Sequence, residues 1–286
     1  MSGAVYGCAS PEDRSALMDL WKRVFGDPDD YLSLFFDLRF RPDQALVARN
    51  SLDGTPISML FLLPIVFQSG SLQYRGRYIY AVATDPAFRS RGLSSQLLAE
   101  AHRRLSLEGL DFSVLVPAER SLFDYYAARG FRTEFFRCAQ TVFAASSPDD
   151  VDLSPASLPA LLPLRDALGA KSTLYGRWDQ EALAYQQRET SLLGGETLSF
   201  FWEGKPGYAV CHPTENTVLI KEWGASAVST PVLSAIAHRF GKNTVQLDLP
   251  ASPGAGSARP FAMTRWYCKE RKYEEGDPPV LSLVLD

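Results

Sequence analysis

The 286-residue chain is poor in the residues that build metal and thiol sites. Its four cysteines, Cys8, Cys138, Cys211 and Cys268, lie far apart with no CxxC pair, so neither a disulfide framework nor a zinc site is expected. With only three histidines, His102, His212 and His238, metal or triad chemistry has few candidates, and no metal is expected. No run of Lys and Arg suited to a phosphate backbone occurs, and the net charge is −4, so nucleic acid is not an expected partner. Long apolar runs are also missing. The longest, Ile57 to Phe67, has 11 residues interrupted by Pro64, which suits a buried strand and is too short for a bilayer. The opening MSGAVYGCASPEDR has no basic stretch leading into an apolar one. It does not read as a secretory signal, and a cytoplasmic protein with no membrane partner is the expectation.

What is present describes a globular protein, with 46% hydrophobic, 22% charged and 12% aromatic residues. The length allows one or two domains. A short strand at residues 4–8 precedes Ser10-Pro11-Glu12-Asp13, a helix start with Ser as N-cap and acids in the first turn. Leu17, Leu20, Trp21, Val24 and Phe25 recur at helical spacing, and a second helix is expected over Asp30–Phe40. Strands at Ala45–Arg49, Pro56–Gln68 and Leu72–Thr84, joined by Gly-containing turns, predict an antiparallel meander. A helix over Ser94–Leu107, a strand at Phe112–Val116, a helix over Glu119–Arg129 capped by Gly130, and a strand to Phe143 follow. Ala144–Pro159 reads as a linker. Beyond it, a helix near Asp179–Leu193 leads to strands at Glu196–Glu203, Tyr208–His212 and Thr217–Trp223, a helix over Thr230–Phe240 and a strand at Thr244–Leu249. That order repeats the one at 45–116 and suggests a diverged duplication, with Val280–Leu285 as the closing strand of the second copy.

The chemically informative stretch is Val82-Ala83-Thr84-Asp85-Pro86-Ala87-Phe88-Arg89-Ser90-Arg91-Gly92-Leu93-Ser94-Ser95, where a strand ends and a helix begins. A helix N-terminus presents unpaired N–H groups and partial positive charge to an anion such as phosphate. Gly92 lets the backbone approach closely, and Arg89 and Arg91 add charge.

These residues resemble motif A of the GNAT N-acetyltransferase superfamily, Arg/Gln-x-x-Gly-x-Gly/Ala, with Arg89, Gly92 and Ser94 in the marked places. Ser94 replaces the usual Gly/Ala. Tyr126-Ala-Ala-Arg-Gly130-Phe131 resembles the family's motif B, with Glu119 where the family often has Asn. The whole-chain order resembles the Eis type, an N-terminal GNAT domain followed by a degenerate copy. The Eis type adds a sterol-carrier-like third domain, for which 286 residues leave no room.

The resemblance implies an α/β (α+β) fold of two GNAT-like domains, 1–145 and 146–286, each a mixed central sheet flanked by helices. Only the first would bind acetyl-CoA or another short acyl-CoA. Val82, Ala83 and Thr84 would line the pantetheine, and Arg89, Ser90, Arg91, Gly92, Leu93, Ser94 and Ser95 the pyrophosphate. Tyr126 would be the acid for the departing thiolate. The reaction implied is direct attack by a primary amine, of a small molecule or a protein, in a ternary complex.

An amine with pKa about 10.4 must first lose a proton. Many relatives carry a Glu on the strand before motif A, but here that strand reads Tyr78-Ile79-Tyr80-Ala81. A water chain, or a carboxylate from elsewhere such as the Asp286 C-terminus, is the fallback. Phe25, Asp27, Asp30 and Tyr80 are candidates for the acceptor pocket, with helix capping the competing role for the acids. Trp21, Phe35 and Phe36 read as core and His102 as surface. After the second copy's comparable strand, Gly224-Ala225-Ser226-Ala227-Val228-Ser229-Thr230-Pro231 carries no arginine and no motif A spacing. A Fem-type aminoacyl transferase is disfavoured by the missing basic surface and by motif A. A non-catalytic acyl-CoA sensor or scaffold stays open, as does assembly into a homo-oligomer.

Overall fold

The computed structural model describes residues 4–145, 150–268, 273 and 276–285. In chain order the elements are β1 (Ala4–Cys8), α1 (Arg14–Phe25), α2 (Asp29–Leu38), β2 (Ala45–Asn50), β3 (Pro56–Ser69), β4 (Leu72–Thr84), α3 (Leu93–Leu107), β5 (Phe112–Leu115), α4 (Ser121–Ala127) and β6 (Arg132–Phe143). They continue as β7 (Leu153–Pro155), α5 (Leu158–Gly169), β8 (Tyr175–Arg177), α6 (Gln180–Leu192), β9 (Glu196–Trp202), β10 (Lys205–Pro213), β11 (Val218–Gly224), α7 (Thr230–Arg239), β12 (Thr244–Ala251) and β13 (Arg259–Trp266).

The strands form one mixed sheet in the order β1-β2-β3-β4-β5-β13-β6-β12-β11-β10-β9-β7, with β8 pairing β3. The repeat expected from element order extends to pairing sense. β2, β3 and β4 are antiparallel neighbours and β4 is parallel to β5 across α3. Likewise β9, β10 and β11 are antiparallel, and β11 is parallel to β12 across α7. Between the two series, β13 inserts antiparallel to both β5 and β6. A C-terminal strand is thus built into the sheet of the N-terminal half.

Apolar residues bury on both faces. One layer packs α1 and α2 against alternate residues of β3 and β4, including Met59, Phe61, Leu63 and Tyr78, and also takes in Tyr185, Leu281, Leu283 and Leu285. The opposite face carries Leu60, Leu62, Ile79 and Leu115 under α3 and α4. A third layer lies under α7. The period-2 alternation within β3 sends its neighbours to opposite cores, as the pleat requires.

Three expectations are corrected. Val280–Leu285 is not the closing strand of the second copy. It makes an isolated bridge from Val280 to Tyr175, and its carbonyls accept from side chains: Tyr78 Oη to Leu285 O (3.0 Å), Trp178 Nε1 to Ser282 O (2.8 Å) and Arg137 to Leu281 O (2.6 Å). An apolar run enclosed on all sides reads like a strand whichever partners its backbone takes. The segment read as linker contains β7, which adds to the edge of β9. His102 is 6% exposed, because its ring packs between Phe131 and Tyr267, and its Nδ1 meets Tyr267 Oη at 2.7 Å. Asp286 lies outside the described residues.

Candidate active site

The pairing of β4 with β5 covers only Gly76–Tyr78 against Phe112–Val114, so the two parallel strands part where β4 continues to Thr84. On its other side β4 pairs with β3, and the register shifts between Met59 and Phe61. Ala81 and Val82 together oppose Leu60, and Ala81 adopts φ +47°. A left-handed residue with a Cβ is uncommon in a strand, and the resulting bulge bends β4 and re-aims its backbone. Beside it, Ser58 Oγ donates to the Ala83 carbonyl at 2.7 Å and contacts Thr84 Oγ1 at 2.8 Å.

The turn after β4 is held from several sides. Asp85 accepts from the Ala87 N–H at 2.9 Å and pairs with Arg23 of α1 at 3.1 Å. Ser90 and Gly92 both take positive φ, 62° and 75°, a conformation from which anion-binding concavities of backbone amides are built. The first helical bond of α3 runs from Gln96 N–H to the Gly92 carbonyl at 3.0 Å. The N–H groups of Leu93, Ser94 and Ser95 therefore precede any intrahelical acceptor and face outward with the positive end of the helix dipole. Arg89 and Arg91 are exposed; Arg89 Nε reaches the Thr84 carbonyl at 3.4 Å and Arg91 lies 5.0 Å over the Phe88 ring.

Two neighbours were missed from sequence. Tyr125 Oη contacts Ser94 Oγ at 2.9 Å and Ser95 Oγ at 3.3 Å. Arg129 donates to Ser95 Oγ at 2.5 Å, stacks 3.4 Å over the Tyr125 ring, and leaves a buried Nε without a hydrogen-bond partner. Tyr125 lies in the last turn of α4 and Arg129 just past its end, and their spacing of four was the available signal. Tyr126 points the other way, 8% exposed, against Phe131 in the layer that holds Ile79 and Leu115. Burial pushes its hydroxyl up to about 12, with the Tyr125 hydroxyl adding and Arg129 opposing.

Tyr80 sits on the opposite face of β4, its ring 5.3 Å from Trp21 and 5.5 Å from Phe35, and its hydroxyl 2.9 Å from that of Tyr31. Asp27 accepts from Trp21 Nε1 at 2.7 Å, and Phe25 packs edge-on to Trp21 at 5.8 Å. Phe25, Asp27 and Tyr80 are thus joined through Trp21. Asp30 instead accepts from the Tyr31 N–H at 2.8 Å, the capping role that competed with acceptor binding. Trp21, Phe35 and Phe36 are buried, as read. From the end of β5, an open groove of about 1070 Å³ runs to the C-terminal half, lined by Glu119, Arg120, Arg137, Lys221, Arg259 and Phe261.

Parting parallel strands, a bulge on the longer one and the free amides at the start of the following helix make one open cleft. Residues 8–134 match the model of the acetyltransferase (GNAT) domain. No curated protein matches the sequence. Among solved structures, a GCN5-related N-acetyltransferase from Anabaena variabilis superposes with TM-score 0.72 at 18% identity, covering 93% of this chain and 73% of that one. A probable N-acyltransferase from Enterococcus faecalis gives 0.72 at 16% identity, with 92% and 73% covered. Eis1 from Mycobacterium abscessus gives 0.66 at 12%, with 92% and 74% covered. Since these matches extend over nearly the whole chain, the likeness in fold includes the C-terminal half. Among the described residues, no helix is long and apolar enough to cross a membrane.

Proposed function

We propose that the chain transfers an acetyl group from acetyl-CoA to a primary amine by direct attack in a ternary complex. The observation that carries this reading is the opening between β4 and β5, with an amide cradle and two arginines at one end and aromatic side chains on the far face of β4. The outward amides of Leu93, Ser94 and Ser95, the left-handed Ser90 and Gly92, and the unpartnered Arg129 Nε fit a pyrophosphate. Arg89 and Arg91 would add charge at its rim. Val82, Ala83 and Thr84 would hold the pantetheine arm, using strand edge that β5 leaves unpaired. When bound, acetyl-CoA supplies the activated acyl carbon and a thiolate leaving group.

The chain's own residues divide the remaining work. A backbone amide at the Ala81–Val82 bulge would be the fixed dipole that stabilises a developing oxyanion. Tyr126, held protonated by burial, gives its proton to the thiolate. Phe25, Asp27 and Tyr80 would border the acceptor from the other face. We further propose units of 1–145 and 146–286, the second binding no CoA and walling the acceptor groove, with β13 tying the two together.

The first experiment is calorimetry with acetyl-CoA on the intact protein and on the Arg89→Ala, Gly92→Asp double variant. Micromolar binding abolished in a folded variant supports the site, whereas binding that survives the variant places the cofactor elsewhere. Tyr126→Phe should lower turnover about 100-fold, within the usual range for a lost general acid. The strand at 78–81 lacks a carboxylate, which favours a second reading, an acyl-CoA sensor. Tight binding with no acetylation of any amine would select it.

A further inference from the structure

The base for the amine has no carboxylate on β4, yet the far face of β4 connects to one. Tyr80 and Tyr31 share a hydrogen bond of 2.9 Å. The Glu189 carboxylate accepts from Tyr185 Oη at 3.0 Å, and burial first and then the Glu189 charge hold the Tyr31 hydroxyl well above its usual range. Glu189 belongs to α6, in the C-terminal half, and is 6% exposed. Tyr31, Tyr80, Tyr185 and Glu189 therefore form one largely buried polar cluster inside an otherwise apolar layer, reaching from β4 into the second half of the chain. A carboxylate is costly to bury without partners. Here tyrosine hydroxyls lie on one side, and on the other a cavity of about 40 Å³ lined with Arg137 of β6, His212 of β10 and Lys221 of β11.

We infer that Glu189 is the terminal proton acceptor for the attacking amine, reached through Tyr80 and Tyr31. This rests on the reaction proposed above. The alkylammonium gives one N–H proton to Tyr80 Oη; Tyr80 passes its own hydroxyl proton to Tyr31, and Tyr31 passes its own to Glu189. Both tyrosines end neutral, Glu189 ends protonated, and the amine gains its lone pair. The C–N bond then forms and the C–S bond breaks. Tyr126, on the opposite face, protonates the thiolate and recovers the proton that the nitrogen sheds. Glu189 returns its proton to solvent, which is the one proton the overall reaction releases. Glu189 touches no substrate in this scheme. It acts through the tyrosines, and the second half of the chain thereby completes the site of the first.

The test uses the full chain, acetyl-CoA, and n-butylamine, spermidine and a lysyl peptide as acceptors. Glu189→Gln should leave acetyl-CoA affinity unchanged and lower kcat about 100-fold at pH 7, the scale of a lost general base. The deficit should shrink as pH rises toward the amine pKa of about 10.4, where the amine is already neutral. Tyr80→Phe, which removes one hydroxyl and keeps the ring, should give the same profile. Combining it with Glu189→Gln should cost little more, because the groups act as a unit. Wild-type kcat and pH profile in both single variants would overturn the relay and leave the acetyltransferase reading intact. Wild-type protein that binds acetyl-CoA but acetylates none of the amines would overturn both.

Discussion

The strand–turn–helix of β4 and α3 and that of β11 and α7 share element order and pairing sense, but only the first makes a cradle. After β4 the chain twice adopts positive φ, at Ser90 and Gly92, and bears Arg89 and Arg91 on the turn. After β11 no residue from Ala225 to Ser229 takes positive φ, and the turn is closed by its own side chain, Trp223 Nε1 donating to the Ala227 carbonyl at 3.0 Å. A Cβ on Gly224 would lie 1.9 Å from the Tyr208 ring, so aromatic packing fills the space beside the strand. Topology supplies a helix N-terminus twice, and the turn's conformation and charge decide whether it opens to an anion.

Under the proposed reading the two halves have different jobs, cofactor binding in one and support in the other, and the comparison can be broken in order of expected effect. The largest concerns the support. Arg165 and Glu222 pair at 3.0 Å with 2% and 8% side-chain exposure, joined by Ser282 Oγ at 2.7 Å. Glu222→Gln should cost about 3–5 kcal/mol in urea unfolding, because it strands a buried guanidinium. Acetyl-CoA affinity of the folded protein should be unchanged; a large loss of affinity would tie the second half directly to the cofactor site.

Next comes acid sensitivity, assigned to the first half. His102 of α3 has its pKa lowered to about 3 by burial and then by Arg265, whereas α7 buries no titratable side chain. A lowered histidine pKa means that the unfolded chain takes up the proton first. Stability should be full above about pH 6.5 and fall as pH drops from there toward 3, by about 1.4 kcal/mol per unit from this group. His102→Asn should flatten that slope in pH-dependent thermal melts; an unchanged slope would assign the acid sensitivity elsewhere.

The smallest is conformational. Gly92→Ala places a Cβ at φ +75° and should destabilise the turn by about 1–2 kcal/mol, weakening acetyl-CoA binding about tenfold. The exposed counterpart Ser226→Ala should change neither binding nor melting temperature. Equal effects at both positions would erase the distinction between the two turns.

The elements of residues 45–143 were legible because their signals are local: Gly-containing turns, helical spacing in α3, and Gly130 after α4. The turn from Arg89 to Ser95 was legible for the same reason, its residues being contiguous. Tyr125 and Arg129 escaped because motif B draws attention to the neighbouring Tyr126. α5 escaped because Pro163 interrupts its pattern. Asp30 was weighed for two roles, and its bond to the Tyr31 N–H favours capping.

The sequence by itself determined the meander and the motif A turn, which follow from near-neighbour backbone preference and spacing, while the class of chemistry came through the resemblance of motifs A and B to the GNAT family. Tertiary structure alone decided that β13 enters the first half's sheet, that residues 281–285 end in the first half's core, that His102 is buried, and that Glu189 meets Tyr31 and Tyr185. Each of these depends on which distant apolar surface a segment covers. Burial is set by the whole packed layer, and no local pattern records which layer a residue joins.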